Sequence, residues 1–145
     1  MYIICVYDVK EKRCQKFMKL LRKYLFHVQN SVFEGTLTPK QYRSLRQEID
    51  TLLNSDEDSV INALIEKKAD KIIISCQNCG CSISKDEEKK IFDMFYRSDA
   101  SRNNNTGGSG IGLAISKKIV ELHKGKIYAE CREGIFTIKV VLNRI

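Results

Sequence analysis

Residues Thr106–Ile115 read TGGSGIGLAI, and this glycine-rich stretch is the most informative part of the chain. A glycine loop that opens a helix presents free backbone N–H groups at the positive end of the helix dipole, where a polyphosphate can bind. The preceding residues, SRNNNT, are polar and do not form an apolar strand. The stretch is therefore typical of a mobile cover over a nucleotide and not of the first turn of a Rossmann unit. Taken alone, it fits a flexible turn before a surface helix equally well.

Length and composition indicate a soluble globular protein. The chain has 145 residues, of which 43% are hydrophobic and 30% are charged, and its net charge of +7 is compatible with polyanionic partners. No apolar run approaches the ~20 residues that span a bilayer. The N-terminus, MYIICVYDVK, has no basic leader, so we expect a first strand there and a cytoplasmic location.

The first sixty residues alternate strand and helix patterns. The predicted elements are a strand at Tyr2–Tyr7, a helix at Glu11–Leu25, a bent strand at Phe26–Leu37, a helix at Lys40–Leu53 and a short strand at Ser59–Ile61. Thr38 and Pro39 suit the start of the second helix. This order is most of a ferredoxin-like βαββαβ unit.

The remaining residues carry a second set of elements. The predicted elements are a strand at Lys71–Cys76, a helix capped by Ser84 with Ile91, Phe92 and Phe95 on its apolar side, a helix at Leu113–Leu122, and two strands at Lys126–Glu130 and Phe136–Leu142. The fold class predicted for the whole chain is α+β.

The first part resembles the second core CRISPR-associated (Cas) endonuclease family. The resemblance rests on MYIICVYDV, KRCQKFMKLLRKY, VQNSVFEGTLT and EDSVI, covers residues 1–61, and ends where the chain turns to NALIEKKADK, so the family's C-terminal portion is missing. It implies a homodimer that binds double-stranded nucleic acid, with a catalytic metal ligand at Asp8 of each subunit. Lys12, Arg13 and Lys16 would contact phosphates. From the residues alone, Asp8 also fits a turn at a strand end, and the basic helix face fits simple solvation.

The second part, residues 62–145, resembles the ATP-binding domain of sensor histidine kinases, which has a Bergerat-type α/β sandwich. Four motifs carry this resemblance in the family's order: NCGCSI at 78–83, IFDMFYR at 91–97, GGSGIGLAI at 107–115 and VELHKGKIYAE at 120–130. It implies ATP as ligand, with Gly108, Gly110 and Gly112 around the phosphates. Asn78 and Gly80 would lie at the adenine.

The first glycine motif departs from the family's Asp-x-Gly-x-Gly pattern. Asn78 stands where the family has the Asp that accepts the adenine amino group, and Ser82 replaces the second glycine. An amide oxygen still accepts a hydrogen bond but lacks the charge of a carboxylate. We therefore expect weakened adenine affinity.

Both resemblances include the stretch around Asp58–Leu64, and they imply different secondary structures for it. The first implies a strand there; the second implies a helix on which Asn62, in Asn62-Ala63-Leu64, is the Mg²⁺ ligand and Asp58 lies on the same helix face. A helix would preserve the magnesium ligand and a strand would remove it. We place the join of the two modules near Ile61.

Two further observations limit the function. Neither His27 nor His123 lies in a phospho-acceptor motif, so autokinase activity in cis is not expected. CQNCGC, with Cys76, Cys79 and Cys81, invites a zinc or iron–sulfur interpretation, but free thiols are favoured because Cys131 is the only plausible fourth ligand.

The sequence therefore supports three functional hypotheses. The chain is an ATP-binding module, a metal-dependent endonuclease or duplex-binding subunit, or an inactive recombination product. Whether it is an enzyme stays undecided at this point.

Overall fold

The computed structural model describes residues 1–54, 56–79, 83–97, 109–132 and 134–144. Seven antiparallel strands form one sheet in the order β2-β3-β1-β4-β5-β7-β6. The strands are β1 Tyr2–Asp8, β2 Phe26–Gln29, β3 Val32–Thr36, β4 Ser59–Lys68, β5 Lys71–Cys79, β6 Lys126–Arg132 and β7 Ile135–Asn143. The mixed α and β content confirms the predicted α+β class.

Four helices accompany the sheet in the described residues: α1 Glu11–Leu21, α2 Pro39–Leu52, α3 Lys85–Lys90 and α4 Gly112–Leu122. Two of them begin at the predicted capping residues. The Thr38 and Ser84 side chains each accept a hydrogen bond from the backbone N–H three residues on, and Gln41 and Glu87 complete the two capping boxes. The helix starts could therefore be predicted from the sequence because the capping interaction is local.

The main hydrophobic core lies between α1, α2 and one face of the N-terminal strands. Ile3, Cys5 and Tyr7 alternate along β1 and are all buried on this face, which we call the front face. They pack with Phe17 of α1 and Leu45 of α2 in a single cluster. The other face, which carries Asp8, is called the back face.

The last helix lies on the opposite side of the sheet. A Cβ placed on Gly125 would lie 2.6 Å from Leu142 Cδ2 and 3.0 Å from Val120 Cγ1, so α4 packs against Leu142. Strand register places Leu142 on the back face. The two parts of the sheet are thus covered from opposite sides.

Burial is uneven between the two parts. After Leu64, the buried residues in the described ranges are Ile91, Phe92, Val120 and Thr137. The C-terminal strands therefore bury much less apolar area than β1 and β4 do. They are held in place by strand pairing within the continuous sheet.

The stretch around residues 58–64, for which the two resemblances imply different structures, forms part of strand β4. Val60 and Leu64 alternate into the front-face core, and β4 pairs with β1 on one side and with β5 on the other. This arrangement satisfies the backbone groups of both neighbours and buries two aliphatic side chains, so the helical alternative for Asn62 is wrong. Asp58, which was placed on that helix, precedes β4 in a turn.

Two predictions about apolar residues in the C-terminal part were also wrong. Phe95 is 74% exposed and has a positive φ of 65°, because α3 ends at Lys90 and the chain turns outward. On α4 only Val120 is buried, while Ile115, Ile119 and Leu122 are exposed. The described part of the chain contains no helix long and apolar enough to cross a membrane.

Candidate functional site

The end of the glycine-rich loop combines a tightly packed glycine with an unobstructed one. Gly110 has a φ of +72°, and a Cβ there would lie 2.9 Å from both Phe95 C and Tyr96 O. Its carbonyl accepts a hydrogen bond from Phe95 N at 3.0 Å. A Cβ on Gly112, in contrast, would meet no atom of the described residues outside its own helix within 4 Å. Gly110 is therefore required by packing, whereas Gly112 leaves space beside the backbone.

Helix α4 begins without a side-chain cap. Within the residues that the structure describes, Ile111 at the N-cap position makes no side-chain capping hydrogen bond, so the first N–H groups of α4 have no side-chain cap from this residue. Gly112, the first residue of the helix, is the point where an anion would have access to them. Gly108 and Gly80, which were predicted as binding residues, lie outside the described residues.

Asn78 lies near the end of β5 on the back face. Its Oδ1 accepts a hydrogen bond from Ser59 Oγ at 3.4 Å, and it pairs with Ile61 of β4 and Phe136 of β7. This is the same face as α4. The structure therefore leaves the predicted adenine-contacting residue and the helix with the predicted phosphate loop on one side of the sheet.

Asn62 is on the other side. It is fully buried on the front face, opposite Cys5 of β1 and Gln77 of β5, and neither Nδ2 nor Oδ1 has a hydrogen-bond partner. Because Asn62 and Asn78 point to opposite faces, Asn62 does not reach a ligand held by Asn78. The predicted Mg²⁺ role required a helix, and the strand removes it.

Asp8 ends β1 with an exposed side chain on the back face. It pairs with Ser59, the residue that donates to Asn78, so the candidate metal ligand and the candidate adenine contact flank one serine. Among the residues that the structure describes, no three His, Cys, Asp or Glu side chains are grouped to hold a metal ion. A metal ion at this position would therefore have the Asp8 carboxylate as its ligand from the described part of this chain.

Arg13 is engaged within the chain. Its Nη2 lies 2.7 Å from Asp58 Oδ1 and 2.8 Å from Glu57 Oε2. The hydrogen bond from Arg13 lowers the pKa of Asp58 to about 2, helped by the backbone N–H groups of Asn54 and Lys10. Arg13 is therefore engaged as a structural cation, and its predicted contact with phosphates stays a prediction. Lys12 and Lys16, also predicted to contact phosphates, are exposed on α1.

Sequence reasoning missed two polar contacts. Ser59 holds the Asn78 side chain, and Tyr42 OH of α2 donates to Gln77 Oε1 of β5 at 2.6 Å. Both join residues from different predicted modules. No local pattern signals them, because they depend on the register between β4 and β5.

Two family models match the chain, and they overlap. The model described as CRISPR associated protein Cas2 matches residues 1–73, and the model described as Histidine kinase-, DNA gyrase B-, and HSP90-like ATPase matches residues 44–144. Each match covers half of the 145 residues or more, so the chain belongs to both families: a Cas2-like segment is fused to a histidine-kinase-type ATPase segment. The two matches overlap at residues 44–73, which include β4.

Individual relatives follow the same division. A CRISPR-associated endoribonuclease Cas2 of Thermotoga maritima is 55% identical over 60 residues, which are 41% of this chain and 69% of that protein. The sensor protein VanS of Enterococcus faecium is 42% identical over 88 residues, which are 61% of this chain. The matched region spans only 23% of VanS.

A solved structure supports the fold across both segments. The catalytic domain of histidine kinase ThkA, in a nucleotide-free form, aligns with 97% of this chain and 95% of its own length, with a TM-score of 0.51 and 21% identity. At this identity the likeness concerns the fold. It extends across the Cas2-like segment because that segment supplies a sheet continuous with the rest.

Proposed function

We propose that the chain is an ATP-binding module that uses the back face of its C-terminal segment. The observation that carries the proposal is the start of α4 at Gly112, which has no side-chain cap from Ile111 and where no described residue would contact an added Cβ. Phosphates would lie against this backbone and the loop before it, including Gly108. Asn78, on the same face, would contact the adenine together with Gly80.

Magnesium does not fit the residue predicted for it. Asn62 is buried on the front face, away from Asn78 and α4, and its two amide atoms make no hydrogen bond with any described residue. Nucleotide binding as proposed therefore involves no metal held by Asn62. The proposed function is limited to nucleotide binding and does not include phosphoryl transfer to a histidine of this chain.

Calorimetric titration with a non-hydrolysable ATP analogue, with and without Mg²⁺, tests this proposal. We expect the natural chain to bind the analogue. Affinity should fall in Gly112→Ala and fall further in Gly112→Val, because these side chains would fill the space beside the backbone. Since a Cβ at Gly112 contacts nothing, both variants should keep the natural melting temperature. Unchanged affinity in Gly112→Val would refute the assignment.

Asn78→Asp provides an independent test at the other end of the ligand. A carboxylate accepts a stronger hydrogen bond from the adenine amino group than an amide does, so we expect tighter ATP binding. Equal affinity of Asn78→Asp and the natural chain would show that this residue does not contact the base.

A second function is favoured by the exposed position of Asp8. None of the four described helices packs on the back face of the N-terminal strands, and Tyr2, Val6 and Ile61 are each more than a third exposed there. We propose that this surface pairs with a second copy, that Asp8 is the metal ligand of each copy, and that Lys12 and Lys16 contact duplex phosphates. Sedimentation should then show a dimer, and divalent-dependent cleavage should be lost in Asp8→Asn.

The duplex contact has its own measurement. Affinity for a short duplex should fall steeply with salt, and the slope should decrease in the double variant Lys12→Gln/Lys16→Gln. A flat salt dependence would remove this second function. If neither nucleotide nor duplex binds, the chain retains the fold without either activity.

A further inference from the structure

The front face of the C-terminal strands carries a group of cations that neither proposed function uses. Strand register places Lys71 of β5, Lys139 of β7, and Lys126 and Tyr128 of β6 on this face. We call these four residues the basic sheet patch. Helices α1 and α2 cover the front face over β1 and β3, and Tyr42 of α2 donates a hydrogen bond to Gln77 of β5. The patch lies beyond that cover.

The patch is not neutralised by nearby carboxylates. On the same face, Glu66 lies 3.9 Å from Lys68, and Glu130 lies 3.1 Å from Arg132. Within the described ranges, no carboxylate lies within 4.0 Å of the patch lysines, whereas both neighbouring glutamates already have partners. The three lysines therefore present positive charge to solvent.

One pairing in this region opposes stability. Lys71 lies directly opposite Lys68 across the β4–β5 hairpin. Like charges in such a cross-strand pair destabilise a sheet. Simple solvation of this face does not account for two lysines in a destabilising pair. An anion bound above the two strands would offset their repulsion.

An aromatic ring lies among these cations. Tyr128 is 42% exposed, and Lys139 Nζ lies 5.8 Å from its ring centroid. Lys126 and Lys139 occupy diagonal positions on neighbouring strands, which places their backbones about 7–8 Å apart. The half-buried side chains of Val141, directly opposite Lys126, and of Ile73, on the next strand β5, add apolar surface on the same face.

The geometry points to a binding surface for single-stranded nucleic acid on the basic sheet patch. A nucleobase would stack on Tyr128, and the phosphates on either side would lie on Lys71, Lys126 and Lys139. Exposed aromatic rings within a positive sheet surface bind single strands because every base has a stacking face and every nucleotide has a phosphate. A duplex hides its base faces, so it would use the lysines but not the ring.

Fluorescence anisotropy with a labelled twelve-nucleotide oligo-dT tests this inference. We expect salt-dependent binding by the full chain and about a tenfold loss of affinity in Tyr128→Ser, with little loss in Tyr128→Phe, which retains the ring. The double variant Lys126→Gln/Lys139→Gln should weaken binding and reduce the salt slope by about 1.4, since each phosphate contact on a single strand contributes ~0.7. Lys89→Gln/Lys90→Gln on α3 is the matched control for charge.

Each alternative has a distinct result. Equal binding by Tyr128→Ser and the natural chain, with heparin competing as well as oligo-dT, would mean a general polyanion surface and overturn the inference. Loss in Lys12→Gln/Lys16→Gln but not in Lys126→Gln/Lys139→Gln would assign the binding to α1. The experiment is independent of ATP, so failure of the nucleotide proposal leaves its outcome unaffected.

Discussion

Arg13 Nη2 lies 2.7 Å from Asp58 Oδ1, and this ion pair joins the first turn of α1 to the turn before β4. The Asp58 side chain is fully buried, and it also accepts hydrogen bonds from Lys10 N and Asn54 N. A buried carboxylate with this many donors is held in one position. The pair therefore fixes where β4 begins and, through the register of β4, which face each of its side chains occupies.

Replacing Arg13 should destabilise the chain. In Arg13→Met the Asp58 carboxylate stays buried but loses its charged partner, so we expect the free energy of unfolding to fall by about 2 kcal/mol at neutral pH. Urea denaturation measures the loss. Lys12→Met, which removes the same charge from an exposed position on α1, is the control and should change stability little.

The pH dependence of that difference follows from the pKa of Asp58. Its pKa is lowered from an ordinary 3.8 to about 2 in the folded chain. A lowered carboxyl pKa contributes stability that is present above about pH 4 and is lost as the pH falls toward 2. The gap between natural chain and Arg13→Met should thus be constant from pH 7 to 5 and shrink below pH 4. A gap that stays constant at pH 3 would contradict this account.

Asn62 should be replaceable with a gain in stability. Both amide atoms are buried without a partner, and an unsatisfied buried polar group costs about 1–3 kcal/mol. Asn62→Leu keeps the number and branching of the side-chain heavy atoms and suits the apolar front face, so we expect the free energy of unfolding to rise by about 1–2 kcal/mol. The same variant should leave any magnesium dependence of ATP binding unchanged.

An exposed asparagine provides the control for this substitution. Asn143→Leu, at the end of β7, should leave stability nearly unchanged because Asn143 is exposed. If Asn62→Leu instead unfolds at lower urea, the amide makes a compensating interaction, such as one with a buried water molecule.

Much of the secondary structure could be predicted because its signals are local. Thr38 and Ser84 cap their helices through residues three positions on, and the glycine before Leu113 coincides with the start of α4. The ferredoxin-like order of elements followed from the same local patterns. Such interactions depend on a few consecutive residues, so one sequence is enough to reveal them.

The candidate site was harder because it depends on register. The pattern of residues 58–64 fitted a strand and a helix, and only pairing with β1 decides between them. That choice placed Asn62 and Asn78 on opposite faces, which no local motif encodes. The ion pair of Arg13 could not be predicted for a related reason, because its partner Asp58 is 45 residues away.

Gly110 and Gly112 should respond differently to replacement by alanine. Gly110→Ala introduces a Cβ 2.9 Å from the backbone of Phe95 and Tyr96 at a φ of +72°, so we expect a loss of about 1–3 kcal/mol in stability. Gly112→Ala adds a methyl group in open space at the start of α4 and should be neutral or slightly stabilising. Thermal unfolding of the two variants compares them directly. Equal losses would mean that the Phe95 contact does not constrain Gly110.

Glu88 should protect the exposed edge of the sheet. β6 is the last strand, and its Cys131 N–H donates to Glu88 Oε1 of α3 at 2.9 Å instead of to another strand. In Glu88→Ala we expect the Cys131 amide to exchange with solvent about tenfold faster or more, while amides in β1, which lie over the main core, keep their rates. Hydrogen exchange followed by NMR measures both, with Lys89→Ala as the control on the same helix. Uniform acceleration of all amides would instead mean that Glu88 supports global stability, and an unchanged Cys131 rate would mean that the contact does not protect the edge.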